Sequence, residues 1–168
     1  FVPSHLIRED EVIEARLGYV PQSVMVMQAG AQPAAVSADL GEGGSVPSGA
    51  ADALSTVYAA GLYLRGDGGF DGDPAALPKP DPAGTYAVMP TLRNWREDGV
   101  VRTDLFDNLL ISPDLQLTQI PVVEELATEY LWPGVDIDYR GLDPNLRLDY
   151  VRFLRDLADR LHAQGKIL

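Results

Sequence analysis

Residues 85–168 alternate between short β-prone segments and longer segments with helical periodicity, and this alternation restricts the fold more than any other feature. TYAVMPTL (85–92) and GVDIDY (134–139) are apolar and have the length and composition of buried strands. The helical segments between and after them cover 103–111, 112–131 and 143–164. Strands that alternate with helices are typical of a parallel sheet with helical crossovers, so the sequence predicts an α/β fold.

The first two helical segments begin with recognisable capping signals. Thr103 and Asp104 are candidate N-caps for the first helix, because their side-chain oxygens can accept hydrogen bonds from free backbone N–H groups. Ser112 followed by Pro113 is a typical start for the second helix. Pro121 lies inside that helix, and we expect it to bend or interrupt the helix.

The third helical segment also has a start and a stop. Asp143 is expected to cap it, Pro144 to open it and Gly165 to end it. Its apolar residues at helical spacing predict a buried stripe of Leu148, Val151, Leu154, Ala158 and Leu161. KIL (166–168) then begins another apolar segment, which we expect to be the start of a further strand.

The N-terminal part is expected to be rich in β-structure. Residues 1–40 contain short apolar stretches, and GEGGSVPSG (41–49) has the composition of a linker or exposed loop. TVYAAGLYL (56–64) predicts a strand that ends at the Gly/Asp cluster RGDGGFDGDP. The aspartates of that cluster lack EF-hand spacing, so we predict a hairpin or loop tip and no calcium site. LPKPDPAG (77–84) is a proline-rich connector.

The charge of the chain excludes several kinds of partner. Its 168 residues carry a net charge of −12 and contain no cysteine. An acidic chain has no means of neutralising phosphates, so binding to nucleic acid or to anionic membranes is not expected. Without cysteine there are no disulfides or thiolate ligands. No segment is long and apolar enough to insert in a membrane, and we expect no cofactor and no metal.

The strand at 134–140 places unlike side chains on its two faces. Alternation puts its apolar side chains, Val135, Ile137 and Tyr139, on one face. Asp136, Asp138 and Arg140 share the other face, with the two carboxylates about 6–7 Å apart. Burying both acids is costly unless one is protonated or a cation lies close to them. In (β/α)₈ barrels, active sites use such residues at the carboxyl ends of strands.

These segments resemble glycoside hydrolase family 18, the chitinase-like (β/α)₈ barrels, in which the corresponding strand is D-G-x-D-x-D-x-E. GVDIDYRGL is most similar to the branch that includes spore-germination and cell-wall glucosaminidases. LDPNLRLDYVRFLRDLADRLHAQGKIL fits the helix that follows, and YAVMPTLRNW and LYLRGDGGF resemble the preceding strands. The resemblance covers roughly residues 52–168 and does not cover 1–40. It implies part of a TIM barrel at 51–168, preceded by a β-rich segment with a linker at 1–50.

The resemblance also implies that the chain is a fragment of a larger protein. A closed eight-stranded barrel needs about 200 residues or more, whereas only four strand candidates follow residue 56. The remaining barrel strands, or partner subunits, would complete the sheet. These residues alone are therefore expected to aggregate or to remain molten because their strand edges are open.

The catalytic motif of the family is only partly present. Its first Asp falls on Pro133, whereas Gly134, Asp136 and Asp138 match. The final Glu of the motif, which is the general acid that the resemblance implies, falls on Arg140. An arginine stays protonated near neutral pH, so it cannot exchange a proton with the leaving group. Asp136 and Asp138 are then remnants of a catalytic site.

Three interpretations of this strand stay open. Arg140 can neutralise Asp138 or Asp136 in an internal ion pair that only stabilises the barrel. The site can instead retain sugar binding, with Tyr139, Asn94, Trp95 and Trp132 as candidate contacts. Another residue can also replace the acid and preserve hydrolysis of N-acetylglucosamine-containing polymers such as chitin or peptidoglycan. The leading expectation is a pseudoenzyme that binds carbohydrate or has a structural role in the cell envelope or outside the cell. A glycosidase and the scaffold subunit of an assembly are the alternatives.

Overall fold

The structure is a computed structural model that describes residues 35–47, 49–79 and 86–168. This part of the chain contains five strands and three α-helices. The strands are β1 (Ser37–Leu40), β2 (Thr56–Leu64), β3 (Phe70–Asp71), β4 (Ala87–Arg93) and β5 (Asp136–Asp138). The helices are α1 (Thr103–Ile111), α2 (Pro113–Glu129) and α3 (Arg147–His162). The β-rich character expected for residues 1–34 lies outside the described residues.

The strands form one curled, mainly parallel sheet, as the alternation of elements predicted. The spatial order is β1-β2-β4-β5 with parallel pairing throughout, while β3 folds back antiparallel on the end of β2. The sheet therefore extends into the N-terminal segment through β1. Beyond α3, Ile167 makes an isolated parallel bridge to Gly134, next to the start of β5. A Cβ atom at Gly134 would lie 2.1 Å from the carbonyl oxygen of Ile167, so only glycine allows this approach.

The hydrophobic core lies between the outer face of the sheet and the helices. The sheet contributes side chains that alternate along each strand, among them Val57, Leu62, Val88, Leu92 and Val135. The helices contribute Phe106, Leu109, Val123, Ala127, Phe153, Leu157 and Leu161. Each of these residues is at most 1% exposed. The side chains on the inner face of the sheet are not part of this core.

The beginnings of α1 and α2 differ in how well the sequence predicted them. Ser112 caps α2 as expected, since its hydroxyl oxygen accepts a hydrogen bond from the Leu115 N–H. The expected caps of α1 are wrong, because Arg102 occupies the N-cap position and no side chain caps this end. Asp104 instead pairs with Arg102 through two hydrogen bonds. Pro121 does not interrupt α2, which continues to Glu129.

The third helix begins later and buries a different face than predicted. Asp143 caps a 3-10 turn at Pro144–Leu146, and α3 itself begins at Arg147. Of the predicted stripe, only Leu161 is fully buried, whereas Leu148 and Val151 are 72% and 54% exposed. The buried face of α3 differs because another residue occupies the core. Phe153 takes the core position, and Leu157 and Leu161 follow it at four-residue intervals on the same helical face.

The loops agree with their composition. Described residues of the Gly-rich segment 41–49 form turns that are largely exposed, and the Gly/Asp cluster after β2 forms the predicted hairpin with β3. Part of the proline-rich connector, residues 80–84, lies outside the described residues. Gly165 ends α3 with a φ of +71°, the left-handed conformation that favours glycine at this position. Among the described helices, none has the length and hydropathy that crossing a membrane requires.

Candidate functional site

The inner face of the sheet places charged side chains of two strands side by side. Thr91 on β4 is the register partner of Asp136 on β5, and Arg93 is the partner of Asp138. Because side chains alternate along both strands, these four side chains share one face. They also stand at the carboxyl ends of parallel strands, where the loops of an α/β barrel form its functional site.

Strand β2 joins this face through a bulge. Its register with β4 shifts between Ala60 and Leu62, at Gly61. The extra residue brings Tyr63 opposite Arg93, whereas regular alternation from Ala60 would have turned Tyr63 toward the helices. Tyr63 is buried, and its hydroxyl donates a hydrogen bond to Glu42 over 2.9 Å. Burial and this hydrogen bond raise the pKa of Tyr63.

Arg140 forms the predicted ion pair with Asp138. Its Nε and one terminal nitrogen each donate to a different oxygen of Asp138, both over 3.0 Å. The guanidinium carbon also lies 3.5 Å from the centroid of the Trp95 ring, and the Trp95 Nε1–H donates to the backbone oxygen of Asp138. The pair is not buried, however, because the side chains of Arg140 and Asp138 are 51% and 31% exposed. Among the described residues it lies at the mouth of the site, whereas the sequence predicted an internal pair.

Arg93 is the site residue that the sequence analysis missed. Its side chain is 11% exposed, and its Nε lies 3.8 Å from an oxygen of Asp138. The same Nε is buried and has no hydrogen-bond partner in the part of the chain that the structure describes. Its guanidinium carbon lies 4.4 Å from the centroid of the Trp95 ring. Strand alternation from Thr91 could have placed Arg93 on this face, but its pairing with Asp138 depends on the register of the sheet.

Asn94 has a structural position within the site. It is 2% exposed, and its side-chain amide both accepts from the Arg140 N–H and donates to the Arg140 backbone oxygen, over 2.8 and 2.9 Å. A further contact reaches the backbone oxygen of Arg102 over 3.3 Å. Asn94 therefore joins the carboxyl ends of β4 and β5. Its polar atoms hold backbone groups, which leaves them little capacity for a ligand.

Asp136 lies deeper on the strand than Asp138. Burial raises the pKa of this carboxyl group, and the nearby charges of Asp138 and Asp39 raise it further. A hydrogen bond with Thr91 and the charge of Arg93 act in the opposite direction. Asp136 therefore holds a proton to higher pH than an ordinary aspartate does, which is the property that a general acid needs.

Two of the predicted sugar contacts are not in this site. Tyr139 faces the helices, where its ring packs edge-on against Phe106 at 5.2 Å and its hydroxyl accepts a hydrogen bond from Gln119. The strand alternation explains this position, since Tyr139 follows Asp138 by one residue. Trp132 is 6% exposed and stacks on Tyr130 at the amino end of β5. It therefore lies at the wrong end of the strand.

A cavity of about 530 Å³ opens beside the site, between the β2–β3 hairpin and the loop after β4. Its lining includes Tyr63, Asn94, Trp95, Arg96 and Asp71. Arg96 covers the ring of Tyr63 at 4.1 Å and pairs with Asp71 over 3.2 Å. Asp136 and Asp138 do not line this cavity. Trp95 contacts both regions and connects them.

No cluster of three or more potential metal-binding side chains occurs among the described residues. No protein-family model and no curated protein matches the chain. Solved structures do match it. The spore cortex-lytic enzyme SleL of Bacillus megaterium is 16% identical with a TM-score of 0.63, and the match covers 92% of this chain and 42% of that one. A class V chitinase from Pseudomonas fluorescens is 21% identical with a TM-score of 0.58, over 70% and 37% of the two chains.

The fold is therefore that of part of a chitinase-type (β/α)₈ barrel. A putative sporulation-specific glycosylase from Bacillus subtilis matches in the same way, at 21% identity and a TM-score of 0.55 over 64% of this chain and 36% of that one. The resemblance to glycoside hydrolase family 18 is thus confirmed for the fold. The chain spans well under half the length of these structures.

Proposed function

We propose that this protein is a chitinase-type barrel that binds a glycan without hydrolysing it, in the cell envelope or outside the cell. The observation that carries the proposal is the pair between Arg140 and Asp138 at the position of the missing acid. A guanidinium group does not release its proton near neutral pH, so it cannot protonate a leaving oxygen. Both oxygens of Asp138 are directed at this group.

A binding role agrees with the surroundings of the pair. The cavity next to Trp95 opens at the carboxyl end of the sheet, where barrels of this type carry their sites. Its lining combines two aromatic rings with charged side chains, which suits the mixed apolar and hydroxyl surface of a sugar. The matched structures are those of chitinases and cortex-lytic enzymes, which supports a glycan as the ligand.

Binding and turnover should be measured together on the full-length protein. Chitin and purified peptidoglycan are the test polymers, with co-sedimentation for binding and reducing-end release for hydrolysis. We expect binding without release. Trp95→Ala should weaken co-sedimentation about tenfold, from the loss of one stacked ring. Tyr130→Ala is the matched control, since it removes a half-buried ring at the opposite end of β5.

A glycosidase is the second candidate, because the raised pKa of Asp136 offers an acid in place of the missing Glu. In that case reducing ends should be released by the native protein and lost with Asp136→Asn and with Asp138→Asn. Such a result would contradict the non-hydrolytic proposal. Failure to bind either polymer would favour the third possibility, in which the barrel is the scaffold subunit of an assembly.

A further inference from the structure

The Nε of Arg93 is a hydrogen-bond donor that its described surroundings do not use. Its side chain is almost buried, yet its Nε donates to no acceptor in the described ranges, and its ionic contact with Asp138 is long at 3.8 Å. A buried guanidinium group without hydrogen bonds carries a desolvation cost that an acceptor would offset. The side chain is therefore prepared for an anionic or acceptor-rich group.

Asp138 does not satisfy the Nε of Arg93, because the nearer carboxylate oxygen lies 3.8 Å away, beyond hydrogen-bond distance. Arg140 takes one hydrogen bond to each oxygen of this carboxylate, and Arg93 approaches an oxygen that Arg140 also contacts. Two cations thus share one carboxylate. The next acid, Asp136, is held by Thr91. The charge of Arg93 also acts on Asp136, but no hydrogen bond joins these two side chains among the described residues.

Trp95 contacts both cations. Both guanidinium carbons lie within 4.4 Å of the centroid of its ring, and its indole nitrogen is fixed to the backbone of β5. Asn94 fixes the backbone of Arg140 in addition. Planar guanidinium groups held in this way suit a carboxylate, which can accept two parallel hydrogen bonds. Arg140 is half-exposed, so a ligand can reach the pair from the mouth of the site.

We propose that Arg93 and Arg140 form a subsite for a carboxylate carried by a sugar residue of the bound glycan. This inference rests on the proposed function and specifies its ligand: an acidic glycan is preferred over a neutral one such as chitin. The lactyl group of N-acetylmuramic acid supplies such a carboxylate in glycan strands from which the stem peptide has been removed, because the peptide otherwise converts it to an amide. The ligand supplies an acceptor for the Nε of Arg93, which has none among the described residues.

The test compares two forms of one probe on the full-length protein. The probe is a disaccharide of N-acetylglucosamine and N-acetylmuramic acid, with its carboxylate either free or converted to the amide. Titration calorimetry at low salt should give a dissociation constant about tenfold lower for the free acid, from charge-assisted hydrogen bonds. Added salt should reduce this difference, since the arginine at the mouth is accessible to ions.

Arginine variants should show which side chain causes the preference for the free acid. Arg93→Gln should reduce the difference between acid and amide to less than about twofold, and Arg93→Lys should retain part of it because charge remains while the planar fork is lost. Arg155→Gln is the matched control, since Arg155 is 63% exposed on α3 and pairs only with Asp156 among described residues. It should leave the difference unchanged. Equal binding of acid and amide by the native protein would overturn the carboxylate subsite but not glycan binding. Binding of neither probe, together with no binding to either polymer, would overturn both.

Discussion

Successive side chains of β5 point to opposite faces of the sheet, and the two faces are stabilised by different interactions. The outer face packs Val135 and Tyr139 against helices, where close-packed apolar contacts decide stability. The inner face carries Asp136 and Asp138, which are partly exposed and depend on arginine partners. We therefore expect the charged side chains of this strand to contribute little to the stability of the fold. The apolar side chains on its outer face should contribute most of that stability.

The largest expected effect lies on the outer face. Phe106→Ala removes a fully buried ring that packs edge-on against Tyr139 and Tyr150, and should lower the free energy of unfolding by about 3–5 kcal/mol. Phe106→Leu should cost less, because it refills most of the volume. Denaturant unfolding of the full-length protein measures both. A loss below about 1 kcal/mol for Phe106→Ala would contradict the description of this face as the core.

A smaller effect is expected where the two faces meet, at Asn94. Asn94→Ala leaves the backbone N–H and oxygen of Arg140 without their partner and should destabilise the protein by about 2 kcal/mol. Asn94→Asp preserves the acceptor but loses the donor, so its loss should be intermediate. If Asn94→Ala unfolds at the same denaturant concentration as the native protein, water replaces this amide. The hydrogen bonds of Asn94 between β4 and β5 then do not contribute to stability.

The exposed ion pair between Arg140 and Asp138 should contribute less to stability than Asn94 does. Arg140→Ala removes the bidentate contact with Asp138, but this pair is largely accessible to water, so the loss should be about 1 kcal/mol or less. A double-mutant cycle with Asp138→Asn measures the coupling. The buried pair expected from sequence would have cost about 3–5 kcal/mol. A loss of that size would show that the pair is buried in the complete barrel.

The smallest effect is a pH dependence from Asp136. Burial raises its pKa in the folded state above the ordinary value of 3.8, so the folded protein binds more protons than the unfolded chain at pH values between the unfolded and the folded pKa. This group's contribution to stability therefore decreases as the pH rises through the folded pKa. Thermal melts at several pH values should show a shallower decline for Asp136→Asn than for the native protein. Parallel curves would indicate that Asp136 is solvated as in the unfolded chain.

The outer face and the inner face were also unequally predictable. Strand β2 was predicted at its observed ends, and the cap at Ser112 was correct, because both depend on local sequence. The buried stripe of α3 was wrong, since Leu148 and Phe153 compete for the core and only packing decides between them. Tyr139 and Trp132 were assigned to the site from proximity in sequence, which ignores the face and the end of the strand on which each lies.

The sequence by itself determined the alternation of strands and helices, the two faces of β5 and the arginine at the position of the acid. These features follow from the period of each element and from the identity of single residues. The tertiary structure decided that Arg93 lies beside Asp138, that Tyr63 joins the same face and that the ion pair reaches water. Each of these depends on strand register, on the bulge at Gly61 or on burial, which arise only when separate strands pair.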